Sequence, residues 1–231
     1  MKNILKFMVI LVISSVFSIT MTSSAFAKKY VNTLMHSQVI FLIPLPWGPR
    51  FTGQFVNFNV EVDLNKKQPN KSRVKAVIDI RSCFLANETW CSHLVMYPNF
   101  FNAKSADKKL VAIFKSTKVI VHKPKKNSMT VYGKLTMNNI TKPIVLKGVV
   151  SHAAPVPVYI KMHKIKDDVL SVNLKTSINA YDFNLGKGML PNLKIPILLT
   201  LEMLPEGTVK KMHSIYEDPS KGTPRKKSGA Y

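Results

Sequence analysis

The two cysteines of the 231-residue chain are the residues whose spacing most directly suggests chemistry. Cys83 and Cys91 stand eight positions apart. In an exported protein they would pair, and so short a loop would stabilise the fold by roughly 2–3 kcal/mol on the chain-entropy model. Free thiols and a redox pair are the alternatives, although redox sites use the closer C-x-x-C spacing. We expect a structural disulfide.

Motifs for catalysis are missing from the sequence. It has no G-x-S-x-G nucleophile elbow, no H-E-x-x-H zinc helix, no phosphate-binding G-x-x-x-x-G-K-[ST] loop and no dinucleotide-binding glycine triplet. The histidines have no ligand spacing; they are His36, His93, His122, His152, His163 and His213. We expect His93 to be a hydrogen-bonded structural residue rather than a reactive one. The sequence therefore predicts a protein with no metal site, no cofactor and no enzymatic activity.

The first 27 residues predict export. Lys2 and Lys6 precede the apolar run Phe7–Phe17, and Ala25-Phe26-Ala27 is a small-x-small cleavage site. The run is too short to span a bilayer comfortably. We expect cleavage after Ala27, a mature chain that begins near Lys28, and a location in the periplasm.

A large excess of basic residues limits the choice of partners. Thirty-four Lys and Arg against 12 Asp and Glu give a formal net charge of +22. Such a field attracts anions but does not specify a fold. Because the chain carries an export signal, we expect anionic lipid head groups, phosphates or envelope polymers as partners, and not nucleic acid.

Alternating apolar and polar residues dominate residues 28–205, as in Phe58–Leu64, and this alternation predicts strands. The other segments lie near 36–43, 73–80, 110–121, 129–137, 142–150, 169–180 and 193–202, with a weaker one near 158–165. The phase slips near Phe55–Val56, which predicts a bulge. Residues 84–101 instead predict one or two short helices. We expect an all-β, eight-stranded antiparallel barrel with a short helical insertion, followed by a basic flexible tail at 206–231.

Several of these segments resemble the YceI-like family of periplasmic polyisoprenoid-binding proteins. The matching segments are HSQVIF (36–41), FTGQFVNFNVEVDLN (51–65), NETWCSHL to FF (87–101), IFKSTKV (113–119), YGKLTMNNITKPIVL (132–146) and TSINAYDF (176–183). The resemblance implies a lipocalin-like barrel that encloses a long isoprenoid chain for transport or sequestration. The ligand would be a polyprenol, a polyprenyl phosphate or a quinone tail, held without catalysis.

The inward faces of the predicted strands supply candidate cavity-lining residues. They are Phe58, Val60, Ile78, Phe114, Leu135, Leu146, Ile178 and Ile197, with Leu85, Trp90 and Phe101 capping one end. For each of them, packing in an ordinary core is the alternative interpretation.

Three segments depart from the family pattern and leave the ligand's head group open. They are Trp90-Cys91, Ile43–Pro49 and Ala180–Asn184, on loops expected to border the cavity.

The alternative function is a filled barrel whose basic surface binds anionic envelope components or a protein partner. An anionic membrane surface and a homodimer are further candidate interactions.

Overall fold

The computed structural model describes residues 27–45, 48–103, 110–122, 127–152, 168–188 and 193–210. The leader before Ala27, the weak strand predicted near 158–165 and residues 211–231 of the predicted tail lie outside these ranges. The helix α1 spans Glu88–Met96. The strands are β1 Lys28–Asn32, β2 Gln38–Pro44, β3 Arg50–Phe55, β4 Phe58–Leu64, β5 Arg73–Asp79, β6 Cys83–Leu85, β7 Val111–His122, β8 Ser128–Met137, β9 Ile140–His152, β10 Leu170–Asn179 and β11 Lys194–Pro205.

Eight of these strands close into an antiparallel barrel. Their order around the ring is β1, β4, β5, β7, β8, β9, β10 and β11, and β11 then pairs with β1 through Tyr30 opposite Pro205. The predicted eight-stranded antiparallel barrel is therefore confirmed. The sequence did not reveal β1, which joins β4 to β11 and completes the ring.

Three short strands, β2, β3 and β6, extend the wall at one end of the barrel and are called the flap here. β2 pairs with β11 through Phe41 opposite Ile197, β3 pairs with β2, and β6 pairs with β3. The flap strands adjoin β1, β4 and β5 across short interruptions at 33–37, 56–57 and 80–82. The interruption at 56–57 is where the phase slip predicted an irregular strand.

The helix α1 lies at the flap end and begins at a local cap. The Asn87 side chain accepts a hydrogen bond from the backbone N–H of Thr89 (3.0 Å), which satisfies one of the free amides of the first turn. Pro98 follows the end of the helix, where a chain cannot readily continue helical. The helix is shorter than the predicted 84–101 segment, because residues 83–85 pair as β6.

Strands β7, β8 and β9 form the predicted meander. Asn138 and Asn139 join β8 to β9 with positive φ angles of 51° and 61°, the conformation of a two-residue hairpin turn. A register shift between Ser116 and Lys118 marks a bulge in β7, where the Ser116 hydroxyl accepts a hydrogen bond from the Val74 N–H (2.8 Å). The bulge bends the wall as closure requires.

The end of the barrel opposite the flap, where β1 begins and β11 ends, is tightly packed. Tyr30, Met203 and Leu204 are fully buried there. Residues 206–210 are helical, and Thr208 among them is buried, so the first part of the predicted tail lies against the barrel. Glu206 pairs with Lys29, and a hydrogen bond from Lys210 holds its pKa below the usual range. No helix among the described residues has the length and apolar character needed to cross a membrane.

Candidate functional site

The inward faces of the barrel strands form one apolar cluster, because alternate side chains on each strand point to the same side of the sheet. Seven predicted lining residues are buried members of it: Phe58, Val60, Phe101, Phe114, Leu135, Leu146 and Ile178. Ile78 and Ile197 are partly buried and pack against it. The structure thus brings nine of the eleven candidates together, and their contact with a ligand stays a prediction.

The two remaining candidates lie at the flap end. Leu85 is buried on β6 but outside that cluster, beside Gly53 of β3. Trp90 on α1 is 38% exposed, and its ring lies against Phe51 with centroids 4.8 Å apart. Phe51 lies opposite Ile43, which packs against the interior cluster, so Trp90 lies against the flap, and its role as a cap stays a prediction.

A disulfide connects α1 to the flap. Cys83 on β6 and Cys91 on α1 are bonded, with Cα atoms 5.7 Å apart. The predicted pairing is confirmed, and α1 is covalently fixed over the end of the barrel.

The histidine of α1 contacts the residue that follows its helix. The ring of His93 stacks on Tyr97, with centroids 4.1 Å apart, and the Tyr97 hydroxyl lies 2.9 Å from His93 Nε2. Among the described residues, no group of three His, Cys, Asp or Glu side chains is placed to hold a metal ion.

Glycines make room for aromatic rings on the inward faces. A Cβ at Gly133 of β8 would lie 2.4 Å from the Phe114 ring, and one at Gly53 of β3 would lie 2.3 Å from the Phe41 ring. Any larger side chain would push these rings from their places. The sequence marked Phe114 as lining but gave no sign that Gly133 determines its position.

Two depressions formed by described residues border the barrel. One, of about 510 Å³, lies beside the 33–37 interruption, where the Thr33 hydroxyl donates to Glu202 (2.8 Å) and His36 Nδ1 lies 3.2 Å from the same carboxylate. The other, of about 400 Å³, lies between β9 and β10 and is lined by Lys142, Pro143, Ile144, Val145, Lys147, Lys175, Thr176, Ser177, Ile178, Asn179, Asp182 and Phe183. Ile178 was among the predicted lining residues, and Asp182 and Phe183 belong to the segment 180–184 that was expected to border the cavity. The sequence did not indicate the other residues, because alternation does not show where two strands separate.

A comparison with models of protein families shows which family the chain belongs to. Residues 30–203 match the YceI-like domain, and this span includes all or most of every strand of the ring. The chain belongs to the YceI-like family. A comparison with curated proteins gives no match.

Solved structures share the YceI-like fold at low sequence identity. BcnA of Burkholderia cenocepacia is 19% identical, with a TM-score of 0.57 over 74% of this chain and 98% of its own. The YceI protein of Campylobacter jejuni is 20% identical, with a TM-score of 0.53 over 67% and 84%. A polyisoprenoid-binding domain from Saccharophagus degradans, implicated in plant cell wall breakdown, is 14% identical, with a TM-score of 0.52 over 78% and 99%. At these identities the likeness shows the fold.

Proposed function

We propose that this YceI-like protein holds a long isoprenoid chain inside its barrel, for transport or sequestration in the periplasm. The observation that supports the proposal best is the apolar inward face that runs around the closed ring. Eight-stranded barrels of this type hold one apolar ligand when the lining side chains leave room. The polyisoprenoid-binding domain among the structural neighbours has the same fold. The protein would be a binder rather than an enzyme.

Burial of the isoprenoid chain would supply most of the affinity. Each methylene moved out of water contributes about 0.8 kcal/mol, so several isoprene units offset the cost of ordering the ligand. The candidate contacts are the nine inward residues of the cluster, with Leu85 and Trp90 at the flap end. The ligand would be a polyprenol, a polyprenyl phosphate or a quinone tail.

Export is part of the proposal. The leader sequence, cleaved after Ala27, would direct the chain to the periplasm, and the Cys83–Cys91 disulfide suits an oxidising compartment. The first described strand begins at Lys28, directly after the proposed cleavage site.

Native extraction tests the carrier directly. The protein is purified from its own periplasm, extracted with organic solvent and examined by mass spectrometry, and the lipid-free protein is then titrated with geranylgeraniol by calorimetry. We expect an isoprenoid in the extract and binding in the titration. Protein that is purified without lipid and also does not bind geranylgeraniol would overturn the carrier proposal.

Substitutions at two adjacent residues can show whether the ligand binds in the interior or on the outer surface. Ile78 and Val77 are adjacent on β5 and both half-buried, but only Ile78 packs against the interior cluster. Ile78→Gln places a polar group in the interior at a cost of roughly 1–3 kcal/mol, so we expect about tenfold weaker geranylgeraniol binding. Val77→Gln should leave the affinity within about twofold, since Val77 lies on the other face. Equal losses would contradict an interior site.

A specific feature favours a second candidate function on the outer surface. Lys75, Lys115 and Lys134 are exposed and lie directly opposite one another across β5, β7 and β8. Like charges so placed repel one another, and an anionic envelope polymer, protein or membrane surface would relieve the repulsion. This candidate predicts salt-sensitive binding to vesicles that contain phosphatidylglycerol, with loss of binding in the K75Q/K115Q/K134Q variant. A homodimer stays a proposal, checked by sedimentation.

A further inference from the structure

The seam between β9 and β10 is paired over only part of its length. The two strands pair from His152 opposite Leu170 to Lys147 opposite Lys175. Beyond that point, residues 140–146 of β9 pair with β8, and residues 176–179 of β10 pair with β11, but the two segments do not pair with each other. The cleft of about 400 Å³ described above lies where they separate. Its volume falls within the range of small-ligand sites, about 300–1,000 Å³.

The paired end of this cleft carries two lysines and no carboxylate. Lys147 and Lys175 are exposed and directly opposite each other in the ladder. Directly opposed like charges destabilise an antiparallel pair. Within the described part of the chain, neither lysine forms an ion pair. A bound anion at this end would therefore remove a repulsion that the protein otherwise tolerates.

The other end of the cleft has a different character. Lys142 lies opposite Leu135, an inward residue, so Lys142 belongs to the inward face of β9, whereas Lys147 belongs to the outward face. Asp182 also borders this end, in the helical turn Ala180–Phe183. The cleft thus carries one lysine and one carboxylate at this end, so an anion would be attracted to the paired end instead.

Apolar side chains line the cleft between its two ends. Ile178 and Phe183 are buried, line the cleft and also belong to the interior cluster. Ile144 packs against the same cluster. A ligand in the cleft would thus meet charge at the rim and apolar surface that continues into the barrel. This combination fits an amphiphile with an anionic head and an apolar chain.

We propose that the cleft binds the phosphate end of an isoprenoid phosphate, with the ammonium groups of Lys147 and Lys175 on the phosphate and the chain directed over Ile178 and Phe183. The inference rests on the proposed function and selects the phosphate among the candidate ligands. Lysine–phosphate contacts are charge-assisted and therefore stronger than hydrogen bonds between neutral groups. A quinone or a free alcohol has no group that would use them.

The chain offers a matched control for this site. Lys71 and Lys118 are also exposed, but they do not line this cleft. The K147Q/K175Q and K71Q/K118Q variants therefore change the net charge equally. Calorimetric titrations with farnesyl phosphate, farnesol and inorganic phosphate, on the full mature chain at 150 mM salt, compare the three proteins.

The expected result is specific to one ligand and one variant. The unmodified protein should bind farnesyl phosphate at least about tenfold more tightly than farnesol, because two charge-assisted contacts are added. K147Q/K175Q should remove that preference without changing the affinity for farnesol. K71Q/K118Q should change neither affinity by more than about twofold, since exposed charges that do not line the cleft are largely screened at 150 mM salt.

Other outcomes show whether the cleft site alone or the carrier function as well is wrong. Equal affinities for farnesyl phosphate and farnesol, or equal losses in both variants, overturn the cleft site and leave the carrier in place. Binding of neither isoprenoid overturns the carrier and, with it, the lipid head-group site. Inorganic phosphate binding that only K147Q/K175Q abolishes, without isoprenoid binding, would replace the lipid by free phosphate as the ligand of the cleft.

Discussion

Strand β9 has two neighbours, and its two seams differ. Along β8 it is paired from the turn onward, from Ile140 opposite Met137 to Val149 opposite Ser128. Along β10 the pairing ends at Lys147 opposite Lys175, and the strands then separate. The same strand is thus part of a sealed wall on one side and of an open cleft on the other.

Different local features fix the two seams. The β8–β9 seam begins at a two-residue turn whose asparagines adopt positive φ, so the register is set at the turn. The β9–β10 seam has no turn at the cleft end, and the two backbones approach closely at Gly148, where a Cβ would lie 1.8 Å from the Asn173 carbonyl oxygen. The turn therefore holds β8 and β9 together from one end of their seam. In the β9–β10 seam, a glycine within the paired part allows the two backbones to come close.

Gly148→Ala should have the largest effect, because it breaks the paired half of the open seam. The new methyl group would overlap backbone, which cannot move away as a flexible side chain can. We expect a loss of about 3 kcal/mol in the free energy of unfolding, measured by urea denaturation. Gly207→Ala, where a Cβ meets nothing within 4 Å, is the control and should lose no stability. Similar losses in both variants would contradict the close approach at Gly148.

The disulfide provides the second largest effect. At the flap end it connects two segments by a covalent bond, as hydrogen bonds connect β8 to β9. In C83A/C91A we expect a loss of about 2.5 kcal/mol in the free energy of unfolding, since the reduced chain gains loop entropy when unfolded. Dithiothreitol should lower the stability of the unmodified protein by the same amount and leave the variant unchanged. A variant as stable as the oxidised protein would show that pairing elsewhere holds the flap.

Asn139→Ala tests the turn that seals the other seam. Asn139 is exposed and has a φ of 61°, a conformation that costs alanine about 1 kcal/mol. We expect that loss in chemical denaturation. Asn139→Gly should be neutral or slightly stabilising, because glycine adopts positive φ without strain. If alanine and glycine behave alike, the turn does not set the register.

Alternation of apolar residues predicted most of the ring, since burial of one strand face leaves a period of two in the sequence. Phe58, Phe114 and Leu135 were identified in this way and lie in one cluster. β1 was missed because its sequence, KKYVN, is short, begins with two lysines and follows the predicted cleavage site. Its role depends on pairing with β11, which lies far along the chain.

The cleft could not be predicted, for a related reason. Lys147 and Lys175 each read as an ordinary outward residue of an alternating strand. Only the register places them opposite each other, and only the separation of the backbones beyond them produces the cleft. Gly148 was a visible signal beside Lys147, since glycine inside a strand often marks a close backbone approach.

Lys175→Glu should have the smallest effect and tests the charge at the point where the seam opens. The substitution replaces a repulsive pair with Lys147 by an attractive one, so we expect a gain of about 0.5–1 kcal/mol in the free energy of unfolding at low salt. At 1 M salt the gain should disappear, because the screening length falls to about 3 Å. Lys194→Glu is the matched control, since Lys194 is exposed, lies opposite Asn179 and changes the net charge equally. A gain of the same size in both variants would assign the effect to the overall positive field, and Lys147 and Lys175 would then not form a local repulsive pair that a bound anion could relieve.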